Sequence, residues 1–581
     1  MGFDWTPVNA DTKFSVLVMA CGVFDVLKLK KYKSKGQDGK GAVASLSNLY
    51  RIFTVPETPY STLGKIDIEI SQNLTGFLRQ HIVASEMDLE KIEKDFSDPV
   101  IPEQPTFVSD YTHFLMESLV AQSVHTAAPG FVGHMTSALP SFILPLSRIM
   151  TALNQNLVKI ETSKAFTPME RQVLGMLHHL VYRRDKDYYK KWMHDCDAAL
   201  GAFCSGGTVS NITAIWAARN NLFPAADGFK GVAQEGIHRA LRYYGFTDVA
   251  IIISRLGHYS FGKTADVLGI GRESIISIDT DRNNRIDLQK LQKTCRQLTA
   301  KGVKILSLVG IAGTTETGNV DPLDTMADIA EEFDCHFHVD GAWGGPTIFS
   351  DSHKHLLNGI ERADSVTIDA HKQLYVPMGA GMVLFRNPTS LSSIEHHAEY
   401  VLRKGSKDLG AHTLEGSRPG KAMLVHSALS IIGRRGYELL IDQGIEKART
   451  FAALIEADES FELVTRPELN LLTYRYVPAA IQQALAKATR SESVTINKIL
   501  DKITKRIQKL QRAAGKTFVS RTRLNPHRYD EQMITVFRVV LANPLTTDNI
   551  MHEILLEQKA IAAANKKINN HLSKLLQKLA A

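Results

Sequence analysis

The chain reads as an α/β protein, a mostly parallel sheet covered by helices, followed by a smaller α+β domain. Two observations predict this. Between about 150 and 430, short apolar runs rich in β-branched residues alternate with stretches of helical periodicity. Beyond 430 the alternation gives way to helices and two further strand-like runs.

Residues 1–45 cluster Gly and Lys after a short apolar patch and are expected to be a flexible basic segment. Residues 46–150 read as mainly helical, interrupted by "DPVIPEQPTF". The large domain, 151–430, opens with "TPMERQVLGMLHHLVY". Here Thr167 as N-cap, Pro168 at the first helical position and Glu170 two later spell a capping box. Val173, Leu174, Leu177, Leu180 and Val181 then recur at helical spacing. Strands are expected at 249–254, 304–311, 336–340, 365–369 and 381–385. A helix opened by Asp321 and Pro322 lies between the second and third, with Met326, Ile329, Ala330 and Phe333 on its apolar face. In the small domain, 431–558, strands are expected near "NLLTYRYVP" and at "ITVFRVVL", with an amphipathic helix near 496–513 between them. Residues 559–581 read as a basic helical tail.

With 581 residues, 44% of them apolar and 22% charged, the chain has an ordinary globular balance and room for two or more packed units. No apolar run reaches the length of a membrane span, and no stable membrane association is expected. Five scattered cysteines (Cys21, Cys196, Cys204, Cys295, Cys335) show no C-x-x-C spacing. That excludes a zinc ribbon or disulfide scaffold, predicts no metal site, and suits a reducing cytoplasm. The net charge of +7 sits at the ends: residues 28–41 and 559–581 each carry +5, leaving −3 elsewhere. The basic character thus belongs to solvated tails, and no nucleic-acid partner is expected.

"GHYSFGKT" (257–264) matches the phosphate-loop pattern and follows a strand, with Asp340 available as its acidic partner. Its inner residues His, Tyr, Ser and Phe are too bulky for a backbone cradle, and this nucleotide-binding reading leaves Lys372 and Gly206–Gly207 without a role. Four other features converge better. "GAFCSGGTVSN" places Gly207, Thr208 and Val209 at a helix start, an anion site. "HVDGAWGG" ends a strand with Asp340 and small residues, and His258 and Lys372 each follow a strand. An anion cradle, a carboxylate, a stacking ring and a lysine together suit pyridoxal 5′-phosphate.

"GGTVSN", "HYSFGKTADVLGIG", "GTTETG", "HVDGAWGG" and "DAHK" together resemble the successive motifs of the group II pyridoxal-phosphate amino-acid decarboxylases, over roughly 120 to 555. "SVHTAAPGFVGHMTSALP" and "EGSRPG" look most like the aspartate 1-decarboxylase subgroup. The resemblance implies the aspartate-aminotransferase-like fold (type I) with a seven-stranded sheet, a cytoplasmic homodimer whose N-terminal helices pack on the dimer, and carboxy-lyase activity. The small acidic substrate is expected to be L-aspartate, giving β-alanine, with L-glutamate as the alternative.

The same resemblance assigns roles. Lys372 becomes the Schiff-base lysine and Asp340 the partner of the pyridine nitrogen. Ala342 packs near the ring, and Thr315 touches cofactor or Asp340. His258 stacks on the ring, against the competing reading of a structural histidine; His371 reaches the phosphate or is structural. Tyr400 falls on a mobile-loop tyrosine that protonates the carbon losing carbon dioxide, against a core tyrosine. Arg418 matches a substrate-carboxylate arginine, although "GSRPG" stands where the family often has "GRR". His134 lies where glutamate decarboxylases carry a distal-carboxylate glutamine, against a buried structural histidine.

Overall fold

The computed structural model describes residues 89–398 and 405–580, together with Ile68 and Ile70. The basic segment 1–45 and Tyr400 lie outside the described residues. By contacts the chain divides into two units. In the first, the described part consists of the helices Leu89–Asp95 and Val108–Phe114, the latter running into a π-helical turn at Leu115–Val120. The second holds everything from Ser123 to the C-terminus.

Its centre is a seven-stranded sheet made of β1 (Gly201–Cys204), β2 (Asp248–Ser254), β3 (Ile275–Ile278), β4 (Val303–Ile311), β5 (His336–Asp340), β6 (Ser365–Asp369) and β7 (Gly381–Phe385). The spatial order is β1-β7-β6-β5-β4-β2-β3. All neighbours are parallel except β7, which runs antiparallel to both β6 and β1. The apolar runs are continuous because both faces are buried. Ile252, Leu308 and Val366 pack with the helix Phe166–Tyr182 on one side, whereas Ile251, Ile253 and Val309 pack with the helix Gly207–Leu222 on the other. The five anticipated strands are present. β1 and β3 are four residues each, too short to show alternation.

A second sheet, all antiparallel, has the order β10 (Ser520–Leu524), β11 (Ile534–Val540), β9 (Leu471–Tyr476), β8 (Phe461–Thr465). The long helix Ala422–Ala457 runs into this part of the chain and kinks at Gly433, whose φ of 67° suits glycine. Its Phe451 joins Tyr474, Phe537 and Leu500 in a core of their own. Leu500 belongs to the amphipathic helix Arg490–Ala514, and the C-terminal helix Lys566–Ala580 adds Ile568 and Leu575. No described helix is long and apolar enough to cross a membrane.

One local expectation fails. The helix Phe166–Tyr182 starts before Thr167 and its N-cap residue, Ala165, provides no side-chain cap. Thr167 Oγ1 pairs with Ser163 Oγ, and Glu170 binds Arg418 instead of reaching back to the helix start. A charged guanidinium outcompetes one backbone amide for the carboxylate. The true capping box is at Thr489 and Glu492, opening the helix Arg490–Ala514.

Candidate active site

Parallel strands put all their carboxyl ends on one edge, and that edge of the large sheet holds a cavity of about 340 Å³, within the usual range for small-ligand sites. Each wall follows from a strand. The turn after β1 brings Ser205 to Val209, and those after β2, β4 and β6 bring His258, Thr315, and His371 with Lys372. β5 ends in Asp340, with Ala342 just beyond. Register locks these ends together: Asp340 is level with Ile311 and Thr367, and Gly381 is level with both Asp369 and Cys204.

Two glycines are required by close approach. A Cβ on Gly207 would lie 2.8 Å from Asp369 Oδ2 and 3.3 Å from Ala342 Cβ. One on Gly381 would lie 2.6 Å from the Gly206 backbone. Gly207, Thr208 and Val209 open the helix Gly207–Leu222, where first-turn N–H groups have no intrahelical acceptor and the dipole favours an anion.

Lys372 Nζ lies 3.0 Å from the buried Asp369 Oδ2, and Asp369 Oδ1 has no hydrogen-bond partner. His371 Nδ1 donates to Ala380 O at 2.8 Å, with Nε2 3.6 Å from Asp369. Asp340 is buried and accepts from Asn211 Nδ2 at 3.0 Å and from the Ala342 amide at 3.1 Å. His258 packs against Tyr259 with ring centroids 4.2 Å apart and the planes tilted by 40°. Its pKa is lowered, mainly by loss of water and further by Lys372, while Asp340 and Asp369 pull it up.

The fit to pyridoxal 5′-phosphate rests on this cradle. The helix start leaves no room for a Cβ at Gly207, and a carboxylate held by two donors and an amine line the same cavity. When bound, the cofactor would supply an electron sink for the bond to the departing carboxylate. Lys372 would hold its aldehyde carbon, Asp340 its ring nitrogen, and Gly207 to Val209 its phosphate.

Two expectations are corrected by placement. Arg418 is buried away from the cavity lining, and both its Nη atoms are spent on Glu170 in a bidentate pair, leaving no fork for a substrate carboxylate. The phosphate-loop reading of 257–264 also fails. The helix Ser260–Val267 begins inside the motif, so no backbone loop can close on phosphate. Lys263 is exposed over the Tyr259 ring, and Thr264 Oγ1 donates to Ser260 O. His134 is exposed beside Met135, which lines the cavity. Its pKa is lowered by partial loss of water, then by Arg538 and Lys372.

Arg538 is the residue the sequence reading missed. It lies on β11, buried, with Nε donating to Thr315 O at 2.6 Å and Nη1 to Gly133 O at 3.4 Å. Nη2 has no partner. Burial lowers its pKa to about 10, so the guanidinium stays charged at neutral pH. The signal was present: one arginine inside the apolar strand "ITVFRVVL" has to be held by something specific.

Comparison with known proteins bears on the family of the chain. Residues 91–477 match the family model described as the pyridoxal-dependent decarboxylase conserved domain. An Aliivibrio fischeri protein named aspartate 1-decarboxylase is 60% identical over 529 residues, 91% of this chain and 97% of that one. A Bacillus atrophaeus aromatic-L-amino-acid decarboxylase is 27% identical over 506 residues, 86% of this chain and 95% of its own. The crystal structure of mouse CSAD superposes with a TM-score of 0.73 at 25% identity, covering 86% of this chain and 98% of that one.

Proposed function

We propose that this chain, which belongs to the pyridoxal-dependent decarboxylase family, removes the α-carboxyl group of L-aspartate, giving β-alanine and carbon dioxide. The observation that carries the substrate is the 60% identity to the Aliivibrio fischeri protein over nearly that protein's whole length. In the balanced reaction, one C–C bond breaks, carbon dioxide leaves, and one proton is added to the former α-carbon.

The chain's own groups divide the work as follows. Lys372 is the amine that would hold the cofactor through its aldehyde. Asp340 would hold the ring nitrogen, and His258 would cover the ring face. His371 stands at the phosphate cradle, where a Cβ on Gly206 would come 3.3 Å from its Cε1. Arg538 offers Nη2 to a substrate carboxylate, with His134 beside it. Tyr400 delivers the proton. The competing L-glutamate reading needs one more methylene in the pocket, a difference of about 1–3 kcal/mol that a few side chains can reverse. The enzyme works as a cytoplasmic homodimer.

The test is a comparison of aspartate, glutamate, cysteine sulfinate and tyrosine at equal concentration on cofactor-saturated enzyme, with amine and carbon dioxide both measured. Aspartate is expected to lead. Glutamate in first place overturns the substrate, and tyrosine in first place overturns the acidic-substrate reading altogether.

A further inference from the structure

Behind Asp340 lies a run of buried polar side chains that the roles above do not use. Asn211, His338, Ser365 and Thr367 are each 1% exposed or less. Asn211 Nδ2 is 3.0 Å from Asp340 Oδ2 and 3.1 Å from Ser260 Oγ. Asn211 Oδ1 is 2.7 Å from Thr367 Oγ1 and 3.1 Å from His338 Nε2. On the far side of the imidazole, His338 Nδ1 is 2.8 Å from Ser365 Oγ, which is 2.7 Å from His336 Nε2. The other His336 nitrogen is 4.0 Å from Asp364, a half-buried carboxylate also bound by Arg386.

The direction of every bond follows from one end. An Asp340 carboxylate only accepts, so the amide group of Asn211 that faces it is the NH2. Its carbonyl then faces Thr367 and His338, which both donate. With the proton of His338 on Nε2, Nδ1 is bare and accepts the Ser365 hydroxyl. The serine has spent its proton and therefore accepts from His336 Nε2–H. The run is satisfied throughout: none of its atoms is among the buried polar groups without a partner. Such a network is stiff, since turning one member breaks its neighbours' bonds. Burial lowers the His338 pKa to about 3, so the ring stays neutral, as the bond directions demand.

We propose that Asn211 and His338 are positioning residues: their one-way hydrogen-bond chain clamps Asp340 by one oxygen and aims the carboxylate at the ring nitrogen of the cofactor. Asn211 borders the cavity and His338 lies outside its lining, and both act on the cofactor through Asp340. The inference rests on Asp340 being the ring-nitrogen partner.

The experiment measures the dissociation constant of apoenzyme for pyridoxal 5′-phosphate and for its carbocyclic analogue, which has a ring carbon in place of that nitrogen. Wild type should prefer the cofactor by roughly ten- to a hundredfold, the weight of one charge-assisted hydrogen bond. Asn211→Leu keeps the volume and removes the clamp; it should cut that preference at least fivefold while binding of the analogue changes less than twofold. His338→Gln, which can still donate to Asn211 and accept from Ser365, should retain the preference, and His338→Leu should lose it. This pair decides the matter if Asn211→Leu does not fold. Equal weakening of both ligands, or an unchanged preference in Asn211→Leu and His338→Leu, overturns the positioning role. A wild type that binds both ligands alike overturns instead the pairing of Asp340 with the ring nitrogen.

Discussion

Replacing Arg538 and Arg418 in turn separates a substrate-binding guanidinium from a structural one. Arg538 is pinned by Thr315 O and Gly133 O, which leaves Nη2 as its free donor. Arg538→Met therefore deletes one charge-assisted hydrogen bond to substrate, about 1.5–3 kcal/mol, or roughly ten- to a hundredfold in kcat/KM. Affinity for pyridoxal phosphate should be unchanged, because Arg538 does not line the cofactor cradle. Arg418→Met acts elsewhere. It strands Glu170, which is 1% exposed, as a buried carboxylate without its cation. Breaking a buried pair from one side costs about 3–5 kcal/mol. Replacing both partners with apolar residues restores most of that, so Glu170→Met with Arg418→Met should unfold near the wild-type urea midpoint and decarboxylate aspartate at close to the wild-type rate. Steady-state kinetics and urea melts on the four proteins read both quantities. The reasoning is refuted if Arg538→Met keeps kcat/KM within twofold, or if the double variant is stable but loses tenfold or more.

Four further outcomes are expected. Lys372→Ala should fold and still take up pyridoxal phosphate weakly, yet show no turnover; substantial activity on adding the cofactor alone would remove Lys372 from its role. Gly207→Ala should weaken cofactor binding, measured by fluorescence quenching of the apoenzyme, since the new Cβ must displace Asp369 or Ala342. Tyr400→Phe should bind aspartate and release carbon dioxide but form β-alanine poorly; a normal rate and amine yield would make Tyr400 a packing residue. Acid should destabilise the apoenzyme before its carboxylates titrate. His178, His338 and His412 are lowered by burial to about 4, 3 and 4, so each is neutral when folded and charged when unfolded between pH 6.5 and those values. Their contribution is full above 6.5 and lost as pH falls. Asp321, raised by burial to about 7, binds a proton in the folded state and opposes them. Among these four groups the balance approaches two protons near pH 5, a slope of about 2–3 kcal/mol per pH unit; a urea midpoint flat between pH 5 and 6 would contradict it.

Sequence alone determined what depends on neighbours along the chain. β-branched runs buried on both faces fix strands of a parallel sheet, and such strands put His258, Asp340 and Lys372 on one edge whatever the details of packing. Gly206 and Gly207 at a helix start mark a candidate anion cradle for the same local reason. The motif set then pointed to the family. Tertiary structure decided which charges meet. Glu170 had a local reading as a capping residue, but its partner is Arg418, 248 residues away, and that pairing took Arg418 out of the site. Arg538 meets Thr315, which lines the cavity, only because β11 is laid against the loop carrying that residue, 223 positions earlier. Asn211 and His338 stood in motifs with no role of their own until the helix after β1 crossed β5. Hydrogen bonds and ion pairs act over about 3 Å in space and carry no period along the chain, whereas burial repeats every 2 or 3.6 residues and can be read there.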